Sequence, residues 1–425
     1  MDIEEYLDTF EKFTKDPTLE AMEHIMEKFG NPQKELKCIH VAGTNGKAST
    51  CEMLNSVLIK SGYKVGKFLS PHLITFNDGI AINNENITNE EIEEIITPMK
   101  EVINEYNKTH EIPVKWFEVI TSLAIIYFAK QKCDIAIIET GLGGLLDCTN
   151  VVEPLISVIT KIGYDHVDIL GNTIEKIAEH KAGIIKQNSH TVFVEQEQEV
   201  NNVIYKTCIE KNNQLHSIKK EDITNYEFGQ DLQKFSFKLH TDIEINLKGK
   251  VQTHNACEAL TCFDILNQNG FNISEGLIKQ GMKEVLHPAR LEILSKNPLI
   301  VFDGGHNEDA IKNLRENIDM YYKDYKTRVY IVAVLTTKDY KVILKHLCTD
   351  KNGVYIFTDG IKSKPYFSKE ELSKEAEKHV EENKIYKFEL RDAINFAKKE
   401  YSNSAIIVAG SFYIYKEVVE VLNND

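Results

Sequence analysis

The sequence predicts an α/β protein of two domains, each built on a parallel sheet, with a phosphate-binding loop in the first and a smaller Rossmann-like second domain. Three observations carry this reading. The apolar run LKCIHVA (36–42) leads into GTNGK and then into a helical pattern over 48–60. That order of strand, Gly-rich turn and helix is what a phosphate loop needs. From residue 296 onward, short apolar strands alternate with helical stretches, which implies a parallel sheet covered on both faces. The 425 residues also exceed one ordinary domain and suit two or three.

In chain order, further strands are expected at 64–69, 134–139 (DIAIIE) and 155–160. Helices are expected at 89–106, 117–131 and 173–184, the last starting at a Thr cap. Segment 203–250 alternates in short stretches, at 234–239 and 243–247, and is more antiparallel than parallel in character. Residues 255–269 read as a helix. The C-terminal series runs LIVFD (299–303), helix 308–322, RVYIVAV (328–334), helix 341–348, GVYIFT (353–358) and helix 368–383. It continues with strand 384–389, helix 391–400, AIIVAG (405–410) and a last helix. The turn SKNP (295–298) is expected to divide a domain over 1–295 from one over 296–425.

Composition narrows the function classes. Fifty Lys and Arg oppose 65 Asp and Glu, a formal net charge of −15. Such a chain is poorly suited to neutralising nucleic-acid phosphates, so no nucleic-acid partner is expected. The longest apolar run, 120–129, is about half of the ~20 residues a membrane span takes. The acidic start MDIEEYLDTF is not a signal-peptide pattern. No membrane partner is expected, and the cytoplasm is the expected location. Eight scattered cysteines form no CxxC pair, which reads as reduced structural thiols rather than disulfides or zinc ligands. A monomer is the default expectation.

The loop carries the first chemistry. Its glycines let backbone N–H groups approach phosphate oxygens, and the helix that follows adds a partial positive charge. Lys47 can reach the outer phosphates of a nucleotide, and Ser49 and Thr50 offer hydroxyls. A Gly-rich turn with a surface lysine is the plain alternative, but the setting between strand and helix favours ATP. The loop is not the general Walker form, since Val41 stands where that form has Gly and Ala48 follows the lysine. Glu139 ends an apolar strand and precedes GLGG, a position costly to bury without a partner; a salt-bridged or helix-capping acid is its alternative. On residues alone, His166 reads as a structural histidine, Lys181 as a surface helix lysine, Asp303 as a helix N-cap and Phe117 as core.

The stretch HVAGTNGKAST (40–50) resembles the Mur ligase superfamily, and within it the folylpolyglutamate synthase/dihydrofolate synthase family. Further similar segments follow in order: SPHL (70–73) with FNDGIAIN (76–83), Phe117-Glu118 with Thr121, ETGLGGLLDCTN (139–150) and YDHVDILGNTIEKIAEHKAGIIK (164–186). THNACEAL (253–260), HPARLEIL (287–294), DGGHNEDA (303–310), VLTTKDY (334–340) and GSFYI (410–414) complete the set. The resemblance implies a Mur ligase-like fold and an ATP-dependent ligase. Such an enzyme joins L-glutamate to a folate carboxylate through an acyl phosphate, by positioning and charge neutralisation.

It also implies roles. Thr44, Asn45, Gly46, Lys47, Ala48 and Ser49 would hold the phosphates, with Arg290; Asn255 would meet the adenine and Asp303 the ribose. His306 and Ser411 match residues facing the cleft from the second domain. Ser70, Glu139 and His166 match Mg²⁺ ligands, and Lys181 matches a lysine carbamylated to bind a second Mg²⁺. Potassium is a further candidate ion. Lys47, Lys181, His166, Arg290 and His306 carry the catalytic expectation. Phe117, Glu118 and Asp147 match the substrate pocket. Two departures touch the chemistry: Leu145 and Gly79 stand where the family usually has arginine. Smaller ones are His180, Ala48, Cys148 and Ala289. A Mur-type ligase for another carboxylate, or a non-catalytic ATP-binding relative, are the rival readings.

Overall fold

The computed structural model describes residues 3–12 and 17–423. The chain divides into two compact units. The first comprises 1–228, 234–246 and 252–285, and the second 229–233, 247–251 and 286–425.

The first unit holds β1 (Cys38–Ala42), β2 (Val65–Phe68), β3 (Ile80–Ile82), β4 (Glu85–Asn86), β5 (Ile135–Glu139), β6 (Ile156–Ile159), β7 (His190–Val194) and β8 (Gln214–Ile218). They form one eight-stranded sheet in the order β4-β3-β2-β5-β1-β6-β7-β8. The strands from β2 to β8 pair in parallel, while β3 and β4 add an antiparallel edge. β1 and β5 are buried at every residue, which is why they read as unbroken apolar runs and take the centre. β8, with the sequence QLHSI, lies at the other edge and is mostly half-buried. A small three-stranded sheet follows, of β9 (Ile223–Glu227), β10 (Gln233–Phe237) and β11 (His240–Ile245), in the order β11-β10-β9.

Helices cover both faces. Trp116–Lys130 is almost wholly apolar and almost wholly buried. It packs with Asn89–Thr109 and the N-terminal helices in one core. Ile174–Ala182 and Gln198–Glu210 pack in another, against β6 and β7. Asn89–Thr109 starts on a capping box of Thr88 and Glu91, each side chain bonding the other's backbone N–H.

The second unit is a six-stranded sheet of β12 (Glu292–Lys296), β13 (Leu299–Asp303), β14 (Arg328–Val332), β15 (Gly353–Phe357), β16 (Ile385–Lys387) and β17 (Ala405–Ala409). Its order is β12-β13-β17-β14-β15-β16, with only β12 antiparallel.

The α/β class and the strand–helix alternation stand, but both large sheets are mixed rather than wholly parallel. The turn at 295–298 closes the β12–β13 hairpin, so the last segment of the second unit starts at Leu286 rather than at 296. The physical reason is that β12 is an edge strand whose half-buried residues give a weak apolar signal. The helix expected over 368–383 ends at Ala376. Segment 203–250 begins with most of a helix and a parallel edge strand before its antiparallel part.

Candidate active site

The C-terminal edge of a parallel sheet collects ligands where neighbouring strands send their loops apart. Here β2, β5, β1 and β6 are consecutive neighbours. Their registers set Phe68 beside Ile138, Glu139 beside Val41 and Ala42 beside Ile159. The segments leaving this edge carry Ser70, Glu139, the 43–47 loop and Asp165-His166.

The loop between β1 and the helix Lys47–Lys60 is shaped by close packing. A Cβ on Gly43 would lie 1.8 Å from Thr160 Oγ1. Gly46 has φ +96°, and a Cβ there would lie 2.5 Å from Asn255 Oδ1; both positions need glycine. The N–H groups of Thr44 and Asn45 donate to the Lys161 carbonyl at 2.8 and 3.1 Å. Thr44 Oγ1 bonds the backbone of Gly163, and Thr160 Oγ1 donates to the Asn45 carbonyl at 2.8 Å. These bonds pin the loop to the segment after β6. The first helical bond is from Thr50 N–H to the Gly46 carbonyl, 2.9 Å. The N–H groups of residues 47–49 therefore lie ahead of the helical ladder, at the positive end of its dipole.

Two lysines converge on this loop. Lys47 Nζ donates to the Gly43 carbonyl at 3.1 Å and lies 3.8 Å from Glu139 Oε1. Lys181 Nζ donates to the same carbonyl at 2.8 Å. Lys181 is buried, not the surface residue its helix pattern suggests. Burial, and next the charge of Lys47, bring its ammonium down to about 7. Glu139 is buried, and Ser70 N–H donates to its Oε2 at 3.2 Å.

A buried carboxylate beside a serine is a donor set that suits a hard cation. Among the described residues no three His, Cys, Asp or Glu stand together to hold a metal. An ion here would rest on few protein ligands, with phosphate and water supplying the rest, as Mg²⁺ prefers. His166 is half-exposed, its Nε2 3.8 Å from Asp165 Oδ1.

Helix Val251–Gln268 backs the loop. Gln252 Nε2 donates to Ser49 Oγ at 3.3 Å, Asn255 donates to Gln252 at 2.9 Å, and Thr50 Oγ1 donates to Glu258 Oε2 at 3.0 Å. Sequence reasoning named Asn255 but missed Gln252 and Glu258. Their spacing of three along the helix was the available signal. Thr160 and Lys161 were also missed, because they act through a side chain and a carbonyl that only the register places.

The residues expected to line a substrate pocket are close together. Phe117 stacks on Phe68, centroids 5.9 Å apart. A Cβ on Gly141 would meet the Phe117 ring at 2.5 Å and Asp147 Oδ2 at 3.3 Å. Asp147 accepts from Leu142 N–H at 2.7 Å and from Thr149. Glu118 accepts from Lys115 N–H at 2.7 Å, and burial raises its carboxyl above the usual range.

In the second unit, β13 and β17 are parallel neighbours with Asp303 beside Ala409. Their ends therefore bring the 303–306 turn next to Gly410-Ser411. Asp303 accepts from Leu291 N–H at 3.1 Å and Gly305 N–H at 2.8 Å. It organises the turn, and the helix N-cap is Asn307 instead. The Arg290 guanidinium lies over the Phe412 ring at 4.3 Å, and His306 packs edge-on to the same ring. Ser411 Oγ is 3.1 Å from Tyr366 Oη.

The chain is similar to known proteins over nearly its whole length. Residues 41–263 match the Mur ligase middle domain, and 289–421 match the dihydrofolate synthetase C-terminal domain. The chain is 34% identical over 419 residues to a dihydrofolate synthase/folylpolyglutamate synthase of Bacillus subtilis, covering 96% of this chain and 95% of the relative. A folylpolyglutamate synthase structure from Mycobacterium tuberculosis, complexed with ADP and AMPPCP, superposes with a TM-score of 0.90 at 25% identity, over 100% of this chain and 98% of that one. One from Thermotoga maritima gives 0.85 at 30%, over 99% and 96%.

Proposed function

The chain belongs to the folylpolyglutamate synthase/dihydrofolate synthase family of Mur ligases, and we propose that it joins L-glutamate to the carboxylate of a pteroate or folate at the expense of ATP. The observation that carries this is the convergence of Lys47 and Lys181 on the Gly43 carbonyl, with Glu139 3.8 Å from Lys47. The difficulty in such a reaction is bringing an anionic carboxylate up to a polyanionic triphosphate. Lys47, a cation held beside a helix N-terminus, offsets that repulsion without reorganising during the reaction.

In this reading, the acceptor carboxylate takes the γ-phosphoryl group and becomes an acyl phosphate. The glutamate amine then displaces phosphate and leaves an amide. Lys47 and the N–H groups of residues 47–49 hold the phosphates, with Thr44, Asn45, Gly46, Ala48 and Ser49 shaping the loop. Asn255 meets the base. Arg290, Asp303 and Ser411 are assigned to the nucleotide and His306 to catalysis. Phe117, Glu118 and Asp147 are assigned to the acceptor. Bound Mg²⁺ would neutralise triphosphate charge, and Ser70, Glu139, His166 and carbamylated Lys181 are the residues that would hold it. The lowered basicity of Lys181 supports carbamylation, because only the neutral amine adds CO₂. The enzyme works as a cytoplasmic monomer. Eight unpaired cysteines support a reducing compartment, and among the described residues no helix is long and apolar enough to cross a membrane.

The test is ADP release with Mg²⁺, L-glutamate and a pteroate or folate acceptor. Release should require both substrates and give a product heavier by one glutamyl residue. ADP release that ignores the acceptor would refute the reading.

A further inference from the structure

β1 has the sequence CIHVA and is buried at every residue. Four of its positions suit such a strand, and His40 does not. Its side chain is wholly buried, and a buried ring with two nitrogens is costly unless they are bonded. It lies beside Ile138 of β5 and Ser157 of β6, three residues ahead of Gly43. No step of the reaction above uses it.

Its partner is Thr149. His40 Nε2 lies 2.8 Å from Thr149 Oγ1, and Thr149 donates both its hydroxyl and its N–H to Asp147 Oδ1, the N–H at 3.0 Å. The other oxygen, Asp147 Oδ2, accepts from Leu142 N–H at 2.7 Å. Chemistry fixes the direction. Thr149 has one hydroxyl proton and gives it to a carboxylate, so its oxygen accepts from His40, and the imidazole proton is on Nε2. Burial, and next the charge of Lys186, bring the ring down to about 3, so this is its only proton at neutral pH. Nδ1 is then a bare lone pair, and among the described residues it has no hydrogen-bond partner; an unbonded N–H there would cost more.

The Asp147 carboxylate thereby joins both ends of the turn 142–149, which packs against the Phe117 ring at Gly141. The rest of the turn has its own anchors. Leu145 N–H donates to the His180 carbonyl at 2.7 Å, and Asn150 Nδ2 donates to the Leu145 and Gly183 carbonyls at 2.9 and 3.2 Å. The His40 bond is therefore not what folds the turn. It fixes where Thr149 and Asp147 stand relative to β1, the strand that ends at the phosphate loop.

We infer that His40 is a positioning residue for the acceptor: through Thr149 it holds the Asp147 carboxylate, and the turn that packs on Phe117, at a fixed place relative to the phosphate loop. This rests on the ligase reading above, in which Phe117 and Asp147 are assigned to the acceptor. The effect falls on one substrate. The phosphate loop is pinned separately, through Thr160, Lys161 and Gly163, so ATP binding does not depend on the His40 bond.

The experiment measures kcat and the KM values for ATP and for the acceptor, with dihydropteroate and tetrahydrofolate each tried on wild type and variants of the whole chain. His40→Leu and Thr149→Val should each raise the acceptor KM about tenfold and leave the KM for ATP within about twofold. His40→Gln, whose amide can donate from nearly the same place, should return the acceptor KM to within about threefold of wild type, as should Thr149→Ser. The double variant His40→Leu/Thr149→Val should be no worse than Thr149→Val alone, since the histidine acts through the threonine. An unchanged acceptor KM, a KM for ATP that rises equally, or additive losses in the double variant would each overturn the positioning role and leave the ligase reading intact. If His40→Leu does not fold, the contrast between Thr149→Val and Thr149→Ser decides by the same criteria. Wild type that turns over neither acceptor would overturn the ligase reading, and the positioning role with it.

Discussion

Lys181→Met should stabilise the ligand-free protein while abolishing its activity. The side chain is buried, and its ammonium falls from an ordinary 10.5 to about 7, first through burial and then through Lys47. At 1.36 kcal/mol per tenfold, that fall corresponds to a folded-state penalty of about 5 kcal/mol below pH 7. Methionine gives up the 2.8 Å bond to the Gly43 carbonyl, about 1 kcal/mol, and fits imperfectly, about another 1 kcal/mol. A net gain of about 3 kcal/mol remains at pH 6. The sign follows from proton counts. Between about 7 and 10.5 the unfolded chain holds a proton on Lys181 that the folded chain does not, so wild-type stability rises across that window. The advantage of methionine therefore shrinks from pH 7 upward and is gone near pH 10. Urea unfolding in CO₂-free buffer at pH 6, 8 and 10 measures it. A variant less stable than wild type at pH 6, or an advantage that does not shrink with pH, would refute the buried-cation reasoning. Bicarbonate with Mg²⁺ should then stabilise wild type but not the variant, because only the lysine can add CO₂.

Lys47→Ala should cost at least a thousandfold in ATP turnover, as it removes both the phosphate cation and the partner 3.8 Å from buried Glu139; steady-state ADP release checks it. Glu258→Gln should leave the melting temperature unchanged to about 2 °C and the KM for ATP within about twofold of wild type. Burial raises this carboxyl well above its usual range, which favours its protonated form, and the amide replaces that form closely as the partner of Thr50; Glu258→Ala should raise the KM for ATP about tenfold by loosening the loop helix. His240 lies 2.7 Å from Glu275 and 3.2 Å from Asp264. Burial opposes its charge, but the two carboxylates prevail and raise its basicity. Its stabilisation is full below pH 6.5 and lost as pH rises through the raised value, so His240→Ala should cost about 1–2 kcal/mol at pH 5.5 and clearly less at pH 9 by urea unfolding.

What was legible in the sequence was local. The phosphate loop announces itself because strand, glycines and lysine are contiguous, and Glu139 because a carboxylate ends an apolar strand. The alternation after 296 was legible for the same reason, since β13, β14 and β17 are buried at every residue. What was not legible depends on packing between distant segments. Helix Ile174–Ala182 carries an ordinary amphipathic pattern, and nothing in it marks Lys181 as the residue turned toward Gly43. β8 and β12 were missed because edge strands bury only part of themselves and lose their apolar signature.

The buried lysine also orders the site's requirements. Two ammonium groups sharing one carbonyl repel, and the fold bears this because Lys181 can lose its proton near neutral pH. Lys47 is less buried and lies 3.8 Å from Glu139. Carbamylation of Lys181 would turn that repulsion into attraction, since the new carboxylate faces the Lys47 ammonium. A Lys47→Ala protein should therefore retain less carbamate at equal CO₂, an effect that ¹³C NMR of bicarbonate-labelled protein reads directly. Equal carbamate in both proteins would show that Lys181 is depressed by burial alone, with Lys47 playing no part in its chemistry.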